Sequence, residues 1–210
     1  MIDKVLENLR KNRMEAYFVE SRAEVVPLIK GLIKEGDTVS LGGSVTLQEA
    51  GVVDLLRSGN YNFLDRARAG ITPEEVQQVY RDTFAADAFF CSANAITEQG
   101  ELFNVDGNCN RIAAISFGPK SVIVVAGINK IVPDLDAAVR RLKTVAAPKN
   151  TKRLSCKTYC LEKGHCMGLE GGMTAGCGSP DRICCTYMVC AHQRIPNRIK
   201  VILVNEELGY

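Results

Sequence analysis

Seven of the nine cysteines fall in one stretch: Cys156, Cys160, Cys166, Cys177, Cys184, Cys185 and Cys190. Thiols so concentrated cross-link the chain, hold a metal, or carry out redox chemistry. Taking Cys160, Cys166, Cys177 and Cys184 gives C-x5-C-x10-C-x6-C. No pair has the C-x2-C spacing of zinc ribbons and knuckles. Wider spacings suit an iron–sulfur cluster, which is larger than one ion and accepts ligands set further apart. Zinc, and free or redox-active thiols, are the alternatives. Cys184 and Cys185 are adjacent and their side chains diverge, so one of the two is expected to ligate. His165 is a weaker candidate, and a solvated loop histidine is its plainer reading.

Three other stretches place polar groups where a ligand could reach them. Gly42-Gly43-Ser44 lies between a strand-like and a helix-like segment. Glycines let a ligand approach the backbone, a helix start offers free N–H groups to an anion, and Ser44 and Thr46 add hydroxyls. The stretch is neither G-x-G-x-x-G nor a P-loop, and a tight strand–helix turn is the plain alternative. Gly127-Ile128-Asn129-Lys130 follows the clearest central strand. Ligands of open α/β sheets bind outside the carboxyl ends of strands, so Asn129 and Lys130 are placed to meet an anionic substrate; a solvated loop lysine is the rival reading. Thr97-Glu98-Gln99-Gly100-Glu101, with Asn104, Asp106, Asn110 and Arg111 downstream, offers a carboxylate base or nucleophile. A polar hairpin explains it equally well.

The elements that must position these groups alternate. Strand-like runs are expected at residues 15–20, 37–41, 61–64, 87–96, 101–105, 121–126 and 200–204. Helical patterns are expected at 3–13, 22–34, 46–57, 72–85, 110–117 and 133–144. Ser121-Val-Ile-Val-Val-Ala is a continuous β-branched run suited to burial on both faces. Alternation of this kind predicts an α/β fold, a mostly parallel sheet flanked by helices. The composition changes near residues 147–150, and the last strand follows the cysteines. The expected organisation is an α/β core over 1–150, a cysteine-rich metal-binding excursion over 151–192, and a final strand over 193–210 that returns to the core.

Composition narrows the partners. Lys plus Arg is 26 and Asp plus Glu is 24 in 210 residues. The basic bias that nucleic acid or an anionic membrane would favour is missing. From Lys149 to Lys200, nine cations face three acids, so the surplus sits on the cysteine segment, where it could balance a thiolate-held cluster or simply face solvent. The charged N-terminus has no apolar signal region and no apolar run is long enough to span a bilayer. The expectation is a cytoplasmic protein with reduced thiols.

Taken in order, the motifs resemble the lactate-utilization (LUD) domain family. The similar stretches are Gly42-Gly43-Ser44-x-Thr46, Thr97-Glu98-x-Gly100-Glu101-Leu102, Asp106-Gly107-Asn108 with Asn110-Arg111, and Phe117-Gly118-Pro119. They continue with Gly127-x-Asn129-Lys130, Cys160 through Cys166, Ser179-Pro180-Asp181-Arg182-Ile183-Cys184, and the run from Arg198 to Tyr210. The resemblance covers nearly the whole chain. It implies a fold like ribose-5-phosphate isomerase and the CoA transferases, and a metabolic setting shared with iron–sulfur oxidoreductase partners. It also implies a four-cysteine pattern, onto which Cys160, Cys166, Cys177 and Cys184 fall. Met167 to Gly176 departs from that pattern as an insert, which makes Cys156, Cys185 and Cys190 substitute ligands to consider.

The expectation is therefore a [4Fe-4S] cluster beside a pocket for a small anionic organic substrate, with a redox role on a lactate-type acid. Glu98, Glu101 and Lys130 are the expected catalytic groups. Gly42, Gly43, Ser44, Thr46, Asn129 and Arg111 are the expected substrate-binding groups. One rival is a non-redox CoA-transferase- or isomerase-like enzyme with a structural metal. Another is a non-catalytic subunit of an oxidoreductase complex. A homodimer is compatible with the size of the chain.

Overall fold

The apolar runs around Val122–Val125 and Val201–Val204 lie side by side at the centre of the molecule. In the computed structural model, which describes residues 1–210, the chain begins with α1 (Ile2–Lys11), β1 (Glu15–Val19), α2 (Val25–Lys30), β2 (Thr38–Leu41), α3 (Val45–Glu49), α4 (Val52–Leu56) and β3 (Asn62–Phe63). Then come α5 (Pro73–Asp82), β4 (Ala88–Cys91), β5 (Ala95–Thr97), β6 (Leu102–Asp106), α6 (Asn110–Ser116), β7 (Ser121–Gly127) and β8 (Ile131–Val132). The chain closes with α7 (Leu135–Arg141), α8 (Ala147–Leu154), α9 (Tyr159–Lys163), β9 (Thr186–Cys190) and β10 (Ile199–Val204).

Six strands form one sheet in the order β1-β10-β7-β4-β2-β3, every pairing parallel. Side chains alternate across it. Val122, Val124, Val201 and Leu203 point into a core with Val5 and Leu9 of α1 and Ile115 of α6. Ile123, Val125, Ile202 and Val204 point the other way, onto Val25 and Ile29 of α2, Leu47 of α3 and Val52 of α4. Burial on both faces explains why β7 and β10 are continuous β-branched runs.

A second, mixed sheet has the order β8-β5-β6-β9. Ala95, Phe103 and Val105 on its inner face pack against Ala138, Leu142 and Ala146 of the α7–α8 helix. The sequence reads residues 87–96 as one strand, but β4 and β5 belong to different sheets. The bend at Ser92–Asn94 is fixed by polar side chains: Ser92 Oγ donates to the Val125 carbonyl, and Asn94 Oδ1 accepts from the Val105 N–H. The helix expected over 46–57 is broken into α3 and α4 at Gly51, whose φ of 71° lies in the left-handed region.

The helix expected to end near Thr144 does not end there. It passes through a π-helical turn, Leu142–Ala146, directly into α8. Pro148 lies in the first turn after that irregularity, where a missing N–H is tolerated. Residue 150 thus falls within a continuous helix that leads from the α/β core into the cysteine segment. The segment is also less of an excursion than its composition suggests. Its strand β9 pairs with β6, from Leu102↔Cys190 to Asp106↔Thr186. No helix is long and apolar enough to cross a membrane.

Candidate functional site

After β2 the chain goes to β3 on one side, then returns to β4 on the other. Connections therefore diverge between the carboxyl ends of β2 and β4, the position where open α/β sheets bind ligands. Gly43-Ser44 after β2 and Ser92-Ala93-Asn94 after β4 line a cavity of about 430 Å³ there. That is within the range of small-molecule sites. Its walls carry five cations (Arg66, Arg111, Lys130, Arg153 and Arg182) against two carboxylates (Asp106 and Asp181), so it favours an anion.

Lys130 follows β7 and is buried, 2% exposed. Its Nζ lies 2.8 Å from both Thr46 Oγ1 and Ser92 Oγ. Those hydroxyls give their own protons elsewhere, Thr46 to the Leu208 carbonyl and Ser92 to the Val125 carbonyl. Nζ must therefore donate to both. This leaves one tetrahedral position on the nitrogen without a protein partner, on a residue that lines the cavity. Burial lowers the Lys130 pKa to about 7, and the nearby Arg141 and Arg111 push in the same direction. Near neutrality that third position is either a lone pair or an N–H, which is what proton transfer or nucleophilic attack needs.

The other expected site residues are dispersed. Gly43, Ser44 and Thr46 line the cavity. Ser44 also caps α3, its Oγ accepting from the Leu47 N–H at 3.3 Å. Gly42 does not line it; a Cβ there would sit 3.2 Å from the Arg111 Cδ. Arg111 lines it but is neutralised and largely spent on the protein. It pairs with Asp106 at 2.8 Å and donates to the carbonyls of Ser92 and Val105 and to Asn94 Oδ1. Its work is to lock β4, β6 and α6 together. Asn129 holds the strap Asn205–Tyr210 across the sheet's carboxyl end, accepting from the Leu208 N–H and donating to the Gly209 carbonyl.

Glu98 and Glu101 lie apart from the cavity. Both sit on the β5–β6 turn, outside the cavity wall. Glu98 pairs with Lys4 of α1 at 2.9 Å and Glu101 accepts from Thr97 Oγ1 at 2.8 Å. Gly100, at φ 79°, brings the turn so close to α1 that a Cβ would lie 2.7 Å from the Leu9 nitrogen. The turn is a structural clasp on the first helix.

All nine cysteines are free of disulfides. Cys160, Cys166, Cys177 and Cys184 line one small cavity with Leu142, Thr158 and Tyr187. Cys184 has its thiol pKa pushed up to about 12, first by burial and then by the neighbouring Cys160 and Cys166, with Arg182 opposing and Cys177 adding. Four thiols in mutual electrostatic reach, in a pocket with few other polar groups, are a donor set that a cationic centre would complete. No three Cys, His, Asp or Glu side chains converge closely enough to grip a single metal ion. Two of the sulfurs are hydrogen-bonded: Gly168 N–H donates to Cys166 Sγ at 3.4 Å, and Cys160 Sγ shares a hydrogen bond with Thr158 Oγ1 at 3.3 Å, in which either atom can donate.

Two cations build this cavity. Lys143, buried in the π-helical turn, donates from Nζ to the carbonyls of Gly168, Gly171 and Gly172 at 2.6, 3.2 and 2.8 Å. Its own carbonyl accepts from the Cys166 N–H. Arg182 donates to the carbonyls of Thr174, Cys177 and Cys184. The insert at 167–176 is thereby folded against the helix instead of separating Cys166 from Cys177. Arg182 and Ile183 line both cavities, so the thiol pocket and the cationic pocket share a wall.

Arg66, Arg153, Lys143 and Arg182 escape a reading of the sequence as site residues. Nothing in the spacing of residues 66 and 153 brings them together. Arg182, beside Cys184 in the Ser-Pro-Asp-Arg-Ile-Cys run, carries the one usable signal.

A solved DUF162 family protein from Deinococcus radiodurans is similar to this chain at 13% identity, with a TM-score of 0.53 over 97% of this chain and 96% of its own. That likeness concerns the fold. The eIF2B beta and delta proteins of Chaetomium thermophilum match 63% and 62% of this chain, covering 47% and 52% of their own. Their identities are 16% and 19%, and their TM-scores of 0.38 and 0.37 are too low to bear on anything further. No curated protein matches. A family model described as the LUD domain matches residues 2–204, and the chain belongs to the LUD domain family.

Proposed function

We propose that this protein binds a [4Fe-4S] cluster through Cys160, Cys166, Cys177 and Cys184 and uses it in a redox reaction on a small organic acid held in the adjoining cationic cavity. The observation that carries the reading is the shared wall: Arg182 and Ile183 face the thiols on one side and the Lys130 cavity on the other. Such a cluster supplies electron transfer when bound. The chain's own groups do the rest. The cationic wall attracts the acid and desolvates its charge. Lys130 Nζ, oriented by two hydroxyls that can only accept from it, takes or gives a proton at the reacting carbon or oxygen. Lys143 and Arg182 hold the loop and offset the negative charge of four thiolates.

An oxidoreductase partner would exchange electrons across the cysteine segment. Leu154, Leu161, Met167 and Met173 are large apolar side chains exposed on or next to it, the kind of surface such a partner covers. One observation favours a non-redox enzyme instead: Lys130 needs no metal to act as a base or nucleophile. In that reading the metal only staples the loop, and the carboxylate roles of Glu98 and Glu101 have no support from their positions.

Anaerobic purification with iron, zinc and acid-labile sulfide measured on one sample tests the proposal. Brown protein with comparable iron and sulfide is expected. Stoichiometric zinc without sulfide would overturn the cluster.

A further inference from the structure

Two cations of the large cavity have no assigned task. Arg66 and Arg153 come from distant parts of the chain, yet both reach Gly43. A Cβ built on that glycine would lie 2.7 Å from Arg66 Nη2 and 3.7 and 3.9 Å from Arg153 Nη2 and Nη1. Neither guanidinium forms a salt bridge. Each is steadied from behind by neutral oxygens. Arg66 Nη1 donates to Tyr80 OH at 2.9 Å, and its Cζ lies 5.4 Å from the Tyr80 ring centroid. Arg153 Nε donates to Tyr210 OH and Asn150 Oδ1, and Nη2 to Asn150 Oδ1 as well. Arg66 Nη2 and Arg153 Nη1 remain free, on the same side of Gly43.

Two unneutralised guanidiniums held together repel each other, and an anion between them would turn that repulsion into attraction. Arg111 in the same cavity shows the contrast, since it is neutralised by Asp106 and its Nε and Nη2 hydrogens are all spent on the protein. The cavity's volume of about 430 Å³ is more than a three-carbon hydroxy acid fills. A single carboxylate would still leave the lining with five cations against three acids.

We propose that Arg66 and Arg153 form an oxyanion subsite, and that the substrate is a carboxylic acid carrying a second anionic group, a phosphate or a second carboxylate, at its far end. This rests on the reading that the cavity takes an organic acid, and it narrows that acid to one with two anionic ends. Gly43 is the backbone position that lets the guanidiniums close on the group, because a side chain there would meet Arg66 first.

Calorimetric titration of the full chain, purified anaerobically with its metal, tests the subsite using lactate, malate and 3-phosphoglycerate as probes. Malate or 3-phosphoglycerate is expected to bind at least tenfold more tightly than lactate, with inorganic phosphate competing. The tighter of the two says whether the second group is a carboxylate or a phosphate. In the Arg66→Gln/Arg153→Gln variant that advantage falls to the lactate level. In the unaltered protein the bound probe also shields Arg66 and Arg153 from phenylglyoxal, read by mass spectrometry. Equal affinity for lactate and both dianionic probes, no binding of any probe, or undiminished phenylglyoxal labelling would overturn the subsite. Protein that binds a dianionic probe but contains no iron or sulfide would overturn the cluster and leave the subsite standing.

Discussion

Lys130 stands just beyond the carboxyl end of a strand hydrogen-bonded to neighbours on both sides, whereas Cys166 and Cys177 stand on a loop. The first cavity is built from strand ends and needs little else to keep its shape. The second is built from turns whose carbonyls are gathered by Lys143 and Arg182. One is organised by the sheet's topology, the other by two buried or half-buried cations and whatever the thiols hold. The two should therefore fail separately, and the shared wall at Arg182–Ile183 is where they can be coupled.

The sharpest break is at the thiols. Cys160→Ser and Cys184→Ser are each expected to remove nearly all bound iron and sulfide while leaving far-UV circular dichroism unchanged, because neither residue belongs to the two cores of the six-stranded sheet and Cys184 only borders the core of the smaller one. Metal analysis and dichroism on the same samples check this. Full iron in both variants would mean that the loop binds its metal elsewhere.

The reciprocal break is Lys130→Met. Turnover is expected to fall by about 100-fold or more, the usual scale for losing a proton-transfer group, with iron content unchanged. The pH dependence of stability has a definite sign. Lys130 has a pKa lowered to about 7 by burial, with Arg141 and Arg111 adding, against an ordinary value near 10.5 in the unfolded chain. The unfolded chain therefore binds the extra proton between those values. The penalty for burying Lys130 is full below about pH 7 and fades as pH rises towards 10.5. Lys130→Met should stabilise the protein at pH 6 by roughly a few kcal/mol, and by much less at pH 9. Denaturant melts at the two pH values measure the difference, and equal gains would refute the lowered pKa.

Lys143→Met probes the loop's own organisation. It leaves the carbonyls of Gly168, Gly171 and Gly172 without their donor, a cost of about 2 kcal/mol or more when buried. That cost falls on the loop before it falls on the sheet. Limited proteolysis should cut within residues 167–176 faster than in the unaltered protein, at unchanged global stability. Cleavage at the original rate would show that Arg182 alone suffices.

What could be read from the sequence follows the same division. β7 and β10 were legible because a strand buried on both faces must be apolar throughout. The four cysteines of the C-x5-C-x10-C-x6-C spacing line one cavity, since thiols on one loop stay near each other however the loop turns. The insert looked like an obstacle because its clamp, Lys143, lies outside it on a helix. That helix was expected to end at Thr144, before the composition changes near residues 147–150. Strand β9 was hidden among cysteines, although Thr186-Tyr-Met-Val-Cys has β-type residues. Arg66 and Arg153 were not legible at all. Their approach depends on where β3 and α8 pack, which no local pattern encodes.

The smallest effect is expected at a carboxylate that the sequence offered as a catalytic group. Glu98 lies on a turn rich in carboxylates and was a natural candidate base, but in the fold it meets only Lys4 by its side chain. Lys4 is 55% exposed and Glu98 28%, so solvent screens the pair, and its loss should cost less than about 1 kcal/mol. Glu98→Gln keeps the backbone carbonyl that accepts from Asn8 Nδ2 at 2.7 Å, the bond that holds the turn to α1. Turnover, iron content and probe binding should all match the unaltered protein. A large drop in turnover at full iron content would put a carboxylate back into the reaction and require the β5–β6 turn to move to the cavity. The clasp on α1 at Gly100 makes that movement costly, because the turn's backbone is packed against the helix's own.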